Sequence, residues 1–288
     1  MIGLVLAAGI GKRLAPLTDE CPKGLIELGG RSLLARLLDG LQAAGVRETA
    51  LVVGYRQGLI RAALGPSHRG MPLRYLENPA YARGPRLSLW TGRAEFERDG
   101  VMLADGDVLF APALLERVVR APAPNVFLAE PEFADTGEEI VLYCSGGGLR
   151  PPPAALPAKP GRSPFGERIG PASPRESETP WDSRGDRVVA IRRGVAGPPD
   201  ATYQAKAEWV GFVKVGRAAG IELAAILDGY VRGGQTEGDY EAALDALLPR
   251  HRFLACPTDG LPWIEIDFPQ DLQAAETEVL PRIARLPA

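Results

Sequence analysis

Residues 2–7, IGLVLA, form an unbroken apolar run that ends at Gly9 and leads straight into GIGKRLAPLTDECPKGL, a loop with three glycines, two prolines and a dense set of cations. An apolar run this short, without polar alternation, suits a strand covered on both faces, as in a parallel sheet flanked by crossover helices. The residues that follow repeat the theme. Ser32 is placed to cap a helix over residues 33–44, whose leucines recur at three- and four-residue intervals, and Gly45 stops it. Residues 49–53 read as a second buried strand, 57–64 as a helix, 73–77 as a third strand and 87–96 as a helix. Residues 101–103 form a strand running into Ala104-Asp105-Gly106-Asp107. Strand and helix in strict alternation predict an α/β fold, a doubly wound, mostly parallel mixed sheet with helices on both faces.

The middle of the chain has another character. Eleven of its 27 prolines lie between Pro151 and Pro199, among glycines, serines and charges, and such a composition buries little apolar surface. Strands at 139–144 and 187–192 flank most of this stretch. They predict a hairpin carrying a Pro/Gly-rich insertion over 145–186, either a mobile excursion or a substrate lid, within a single domain spanning 1–288. Beyond it, 208–215 alternates like a strand, 221–232 and 240–248 read as helices, 253–256 and 263–266 as strands, and 270–280 as a closing helix.

Composition removes several classes of function. The chain is 45% hydrophobic and 24% charged with a net charge of −3, so nothing general draws it to nucleic acid or an anionic membrane. Cys21, Cys144 and Cys256 are widely spaced and outside any CxxC pattern, which argues against a disulfide framework or a thiolate zinc site. No apolar run is long enough to span a bilayer, and Lys12 and Arg13 follow the first apolar run where a secretory signal would have them precede it. These features point to a cytoplasmic protein, and a homodimer is compatible with them.

The first loop carries the chemistry. Gly9 and Gly11 follow a buried strand and let backbone N–H groups approach an oxygen-rich ligand, while Lys12, Arg13 and Lys23 crowd around the turn. An ordinary strand-to-loop turn with solvated lysines has the same ingredients. The loop is not a GxxxxGK[ST] phosphate loop, and Leu14 stands where a dinucleotide fingerprint needs its third glycine.

Residues 6–41, LAAGIGKRLAPLTDECPKGLIELGGRSLLARLLDGL, resemble the signature LAAGxGxRLxPLTxxxPKxLxxxxGxxLL of the sugar-nucleotide pyrophosphorylase-like nucleotidyltransferase superfamily. Asn78-Pro79 and Arg83-Gly84-Pro85-Arg86-Leu87-Ser88-Leu89 resemble its base-side segment, and Asp105-Gly106-Asp107 its strand-end aspartate. Trp263-Ile264-Glu265-Ile266-Asp267, with Asp271 four residues on, resembles the W-x-E-I-D-x-x-x-D ending of the CTP:phosphocholine and inositol-1-phosphate cytidylyltransferase branch. The resemblance implies a Rossmann-like (GT-A-like) fold and an Mg²⁺-dependent nucleotidyltransferase that joins a nucleoside triphosphate, CTP by preference, to a small phosphorylated acceptor and releases pyrophosphate. The acceptors implied resemble phosphocholine, inositol phosphate or aminoethylphosphonate.

Residue by residue, the resemblance makes Lys23 and Arg13 catalytic. It gives the nucleotide to Leu6, Ala7, Ala8, Gly9, Gly11, Lys12, Arg13, Lys23, Gly84, Ser88 and Asp105, and the metal to Asp107 and Asp267. Asp105 and Asp271 stand as alternative ligands, and helix capping is the other use of an aspartate after a strand. On the acceptor side, Arg192 and Arg193 are candidate phosphate grips. Glu208, Trp209, Trp263 and Glu265 offer carboxylates beside aromatic faces that suit an ammonium group. Where the inositol-1-phosphate enzymes tend to carry R-G-N-G-x-S-L, this chain has Arg83-Gly84-Pro85-Arg86-Leu87-Ser88-Leu89, which weakens the carry-over of base and substrate. The alternatives are a sugar-1-phosphate uridylyl-, guanylyl- or thymidylyltransferase, with no appended β-helix expected, and a catalytically inactive nucleotide-binding regulator.

Overall fold

The computed structural model describes residues 1–134, 137–146, 186–194, 203 and 205–287. The principal strands are β1 (Ile2–Ala7), β2 (Glu48–Val53), β3 (Met71–Glu77), β4 (Val101–Asp105), β5 (Val108–Phe110), β6 (Val126–Glu130), β7 (Ile140–Ser145), β8 (Arg187–Arg193), β9 (Ala205–Val215), β10 (Phe253–Pro257) and β11 (Trp263–Glu265). The principal helices are α1 (Leu33–Ala43), α2 (Gln57–Leu64), α3 (Pro85–Thr91), α4 (Ala94–Arg98), α5 (Pro112–Arg120), α6 (Arg217–Arg232), α7 (Glu241–Asp245) and α8 (Pro269–Ala274).

One sheet runs in the order β7-β8-β10-β6-β9-β4-β1-β2-β3, with the two-residue strand Ser67–His68 on its far edge. β4, β1, β2 and β3 pair in parallel, as do β10 and β6, while β9 lies antiparallel to both β4 and β6 and makes the sheet mixed. The apolar strands alternate between two cores. Leu4, Ala50, Val52, Val101 and Leu103 pack toward α3, α4, α6 and α7, whereas Val5, Leu51, Val53, Met102 and Ala104 pack toward α1, α2 and α5. Two-sided burial is why these strands read as continuous apolar runs.

Local signals act where the sequence places them. Ser32 Oγ accepts the Ala35 N–H at 3.3 Å, and α1 buries Leu33, Leu34, Leu37, Leu38 and Leu41 on one face. β7 and β8 pair antiparallel, as the hairpin reading requires. Most of the 145–186 insertion lies outside the described residues.

Three expectations change. The 87–96 helix is two helices, α3 and α4: Pro85 opens the first, and Gly92 follows its last residue. The 263–266 strand does not join the main sheet but pairs antiparallel with β5 in a separate ribbon, Glu265 opposite Val108 and Trp263 opposite Phe110. The closing helix passes from α8 through a π-helical stretch, Ala275–Val279, into Leu280–Ala284. Pro281 has no N–H for the Thr277 carbonyl and its ring would strike it, so a widened turn just before the proline accommodates both.

Candidate active site

The glycine loop leaves β1 and turns at Gly11, whose φ of +69° is left-handed. A Cβ there would come within 3.1 Å of Thr18 Cγ2 and 3.3 Å of Lys23 Cβ, so a side chain would meet both strain and crowding. Thr18 Oγ1 donates to the Gly11 carbonyl at 2.9 Å and pins the turn. Across from it, the Gly106 N–H donates to the Leu6 carbonyl at 3.0 Å, holding the end of β4 against the end of β1. Between these backbones lies a cleft of about 360 Å³, walled by Leu6, Ala7, Gly9, Gly11, Lys12, Arg13, Lys23, Gly24, Gly106, Asp107 and Asp267.

Asp107 and Asp267 meet through the β5–β11 ribbon. Asp107 immediately precedes β5, Asp267 lies two residues beyond β11, and the Ile266 N–H between them donates to the Asp107 carbonyl at 3.0 Å. Asp271 completes the turn: its Oδ2 accepts the N–H groups of Asp267, at 2.9 Å, and Phe268, at 2.8 Å, at the start of α8. That carboxylate caps a helix rather than facing a metal, which corrects its reading as an alternative ligand.

Oxygens of Asp107, Glu265 and Asp267 lie within 4.8 Å of one another. Glu265, read from sequence as an acceptor residue, sits beside the two aspartates. Asp107 Oδ1 is buried and has no hydrogen-bond partner among the described residues, and a carboxylate oxygen left so is costly unless a cation faces it. Three oxygen donors of this kind fit a hard divalent cation.

Lys23 binds the same group. Its Nζ donates to Asp107 Oδ2 at 2.8 Å and to Asp267 Oδ1 at 2.6 Å. Burial alone would lower the lysine pKa, but Asp107, Asp267 and Glu265 outweigh it and hold the ammonium above its ordinary range. Arg13 is half exposed. Its Nη2 lies 3.0 Å from Glu138 Oε2, its Nη1 3.8 Å from Asp267 Oδ2, and its guanidinium rests 5.0 Å from the Phe268 ring centroid.

The other sequence candidates sit elsewhere. Ala8 is buried, and its carbonyl accepts the Tyr55 N–H at 3.1 Å. Ser88 is buried with its Oγ accepting from Asn78 Nδ2 at 3.1 Å, and Gly84, φ +120°, precedes α3. Arg86, where the sequence departs from the cytidylyltransferase pattern, donates to the carbonyls of Gln235 and Asp239 and stacks 4.8 Å from the Tyr230 ring centroid, so it ties α3 to the turn after α6. Asp105 receives the Tyr240 hydroxyl at 2.9 Å on both oxygens. Burial, then Asp107 and Glu265, push its carboxyl well above the usual range. Asp105 thereby braces β4 against the Tyr240 turn.

Among the described residues, Trp209 and Trp263 do not form an ammonium cage. Trp209 is buried, gives its Nε1–H to the Phe212 carbonyl at 3.0 Å, and meets Phe127 and Tyr240 edge-on. Trp263 is buried too, with Nε1 3.1 Å from Glu130 Oε2. Large aromatics with a satisfied N–H belong to the core. Glu208 is buried on β9. Arg193 donates from Nε to Asp239 Oδ2 at 2.8 Å and from Nη1 to the Glu138 carbonyl at 3.1 Å, and Arg192 pairs with Asp245 at 2.9 Å. Sequence reading missed Tyr240 and Glu241, the latter pushed up to about 7 by burial. Neither carries a motif, since their partners come from distant strands.

A cationic glycine loop facing a carboxylate group in one cleft agrees with the comparison to protein families, where the profile of the MobA-like NTP transferase domain matches residues 3–168. The chain belongs to this family. The match includes Lys23 and Asp107 but not Glu265 or Asp267. Over 126 residues this NTP transferase chain is 38% identical to CMP-5'-(3-aminopropyl)phosphonate synthase of Streptomyces rubellomurinus, which covers 44% of the chain and 20% of that protein. Over 120 residues it is 35% identical to a UTP–glucose-1-phosphate uridylyltransferase of Haloferax volcanii, covering 42% of the chain and 49% of that protein. The chain thus spans half or less of these relatives. In structure it is similar to CTP:phosphocholine cytidylyltransferase of Streptococcus pneumoniae, with a TM-score of 0.66, 16% identity, and 96% and 97% of the two chains covered, a likeness of fold. Among the described residues no helix is long and apolar enough to cross a membrane.

Proposed function

We propose that this NTP transferase chain is a cytidylyltransferase, coupling CTP to a small phosphonate or phosphomonoester to give a CMP-linked product and pyrophosphate. The observation that carries the reading is the meeting of Lys23 with Asp107, Asp267 and Glu265 in a cleft roofed by the glycine loop. An anionic oxygen of the acceptor forms a bond to the α-phosphorus. The bond from that phosphorus to the oxygen bridging to the β-phosphorus breaks, and pyrophosphate leaves with the electron pair. The acceptor oxygen is already ionised, so no base is needed. Catalysis reduces to bringing two polyanions together and offsetting charge at the α-phosphate.

The residues match that task. Lys23, held as an ammonium, serves the α-phosphate, and Lys12 and Arg13 at the cleft wall serve the β and γ phosphates. Asp107 and Asp267, with Glu265, would hold Mg²⁺, which when bound neutralises phosphate oxygens and draws the acceptor toward the α-phosphate. Cytidine is favoured by the 38%-identical relative, whose product is a CMP-phosphonate, and by the Trp263–Asp267 ending. The 35%-identical uridylyltransferase supports the second reading, a sugar-1-phosphate uridylyltransferase.

A pyrophosphate-release screen separates them: CTP, UTP, GTP and dTTP, each crossed with an aminoalkylphosphonate, phosphocholine, inositol 1-phosphate and glucose 1-phosphate. Turnover with CTP and one of the first three acceptors is expected. Preference for UTP with glucose 1-phosphate would move the chain to the second reading, and silence in every cell would make it a nucleotide-binding regulator.

A further inference from the structure

The cleft holds its own counter-ion. Lys23 Nζ bridges Asp107 Oδ2 and Asp267 Oδ1, at 2.8 and 2.6 Å, and its side chain is only 13% exposed. These are two of the three carboxylates that would take a divalent cation. An ammonium and a dication on the same two oxygens repel strongly at such separations, and a carboxylate oxygen bonded to an ammonium has less charge to give a metal. Arg13, a second cation of the cleft wall beside Lys12, is likewise held by carboxylates of the chain, Glu138 and Asp267. We propose that Lys23 bars free divalent metal from the Asp107–Glu265–Asp267 group until a polyphosphate draws the lysine away, so that metal and nucleotide enter together. Lys23 is therefore a gate on metal entry as well as a catalytic side chain. The role of the polyphosphate rests on the transferase reading; the exclusion of metal by Lys23 does not.

The physical reason is compensation of charge. With no ligand, three carboxylates this close would repel one another, and the lysine offsets part of that. Once a triphosphate lies along the glycine loop, its oxygens offer the ammonium a new partner. Asp107 Oδ2 and Asp267 Oδ1 are then released to join Asp107 Oδ1, a buried oxygen with no hydrogen-bond partner among the described residues. A metal that must come with the nucleotide keeps the cleft from being loaded by metal alone.

The test is direct binding of Mn²⁺, followed by electron paramagnetic resonance of the free ion, for the full chain and for Lys23→Met, with and without CTP. Without nucleotide, Lys23→Met should bind Mn²⁺ at least about tenfold more tightly than the wild type, the equivalent of one charge-assisted hydrogen bond removed from the ligand oxygens. Saturating CTP should close most of that gap by tightening the wild type. Lys23→Arg, which keeps the charge, should stay weak. If Lys23→Met needs metal to fold, coupled folding weakens its apparent affinity, and the comparison passes to thermal unfolding followed by far-ultraviolet circular dichroism, in which its Tm should climb more steeply with Mn²⁺ than the wild type's. Equal Mn²⁺ affinity for wild type and Lys23→Met without nucleotide would overturn the proposal. Loss of every transferase activity in the screen, with the affinity difference intact, would overturn the transferase reading and leave the gate standing.

Discussion

Lys23 has two sets of partners to choose between. Its ammonium lies between Asp107 and Asp267 in the cleft wall, and the proposed mechanism gives it the α-phosphate as its other partner. Replacing it removes charge stabilisation that counts most as the α-phosphorus gains a fifth oxygen. Lys23→Ala is expected to lower kcat by roughly 10²–10³, the scale seen when one preorganised donor is lost from a developing oxyanion. Pyrophosphate release in single-turnover mixing checks this, and a wild-type rate would remove Lys23 from the chemistry. Asp107→Asn should act differently, since an amide keeps the shape but gives up the charge. Turnover should fall by a similar factor and the remaining activity should need more metal; an unchanged metal requirement would return Asp107 to a capping role.

At the scale of elements, the β5–β11 ribbon and the Asp271 cap convert two distant aspartates into one site. The Asp271 carboxylate holds the N–H groups of Asp267 and Phe268, so it fixes the backbone on which Asp267 is carried without entering the cleft itself. Asp271→Ala should cost about 1 kcal/mol of stability, as cap losses do, and should raise the Mg²⁺ concentration needed for half-maximal turnover more than it lowers kcat at saturating metal. Asp271→Asn keeps an acceptor oxygen and should restore most of both; equal metal requirements in wild type and Asp271→Ala would confine the residue to stability. The ribbon was also the least legible element. Three-residue strands are too short to show alternation, and 263–266 reads as one more buried strand because Trp263 and Ile264 are apolar for a different reason, packing against β5 and the closing helix. By contrast β1, β2 and β4, α1 and α2 were readable almost to the residue, since each buries a face that local sequence alone must supply.

At the scale of the molecule, the loop cations, Asp107 and Asp267 were legible because a motif ties them to strand ends, whereas Glu265 beside the aspartates, Tyr240 on Asp105 and the buried tryptophans depend on which strands become neighbours. β9 decides that: lying antiparallel between β4 and β6, it carries Trp209 against Tyr240, whose hydroxyl reaches Asp105. The same assembly leaves carboxyls that oppose one another in their response to pH. Burial raises the Glu241 carboxyl to about 7 from an ordinary 4.5, with Asp239 adding to the rise and Arg193 and Arg86 resisting it, and Asp105 is raised as well. A carboxyl raised on folding binds its proton more tightly in the native chain than in the unfolded one. Between pH 4.5 and 7 the native state therefore holds more protons, and stability falls as pH rises through that window, by up to about 3 kcal/mol for Glu241. Glu95 works the other way: burial raises it, but hydrogen bonds from Arg74 and Arg98 outweigh burial and hold it low, so its contribution is present at neutral pH and lost in acid. Stability should thus peak on the acid side of neutrality. Urea midpoints measured at pH 5 and pH 8 test this, and Glu241→Gln, which cannot ionise, should narrow the drop between them by raising the pH 8 value. A Glu241→Gln chain that loses as much stability as the wild type between those two pH values would assign the slope to Asp105 and its Tyr240 partner instead.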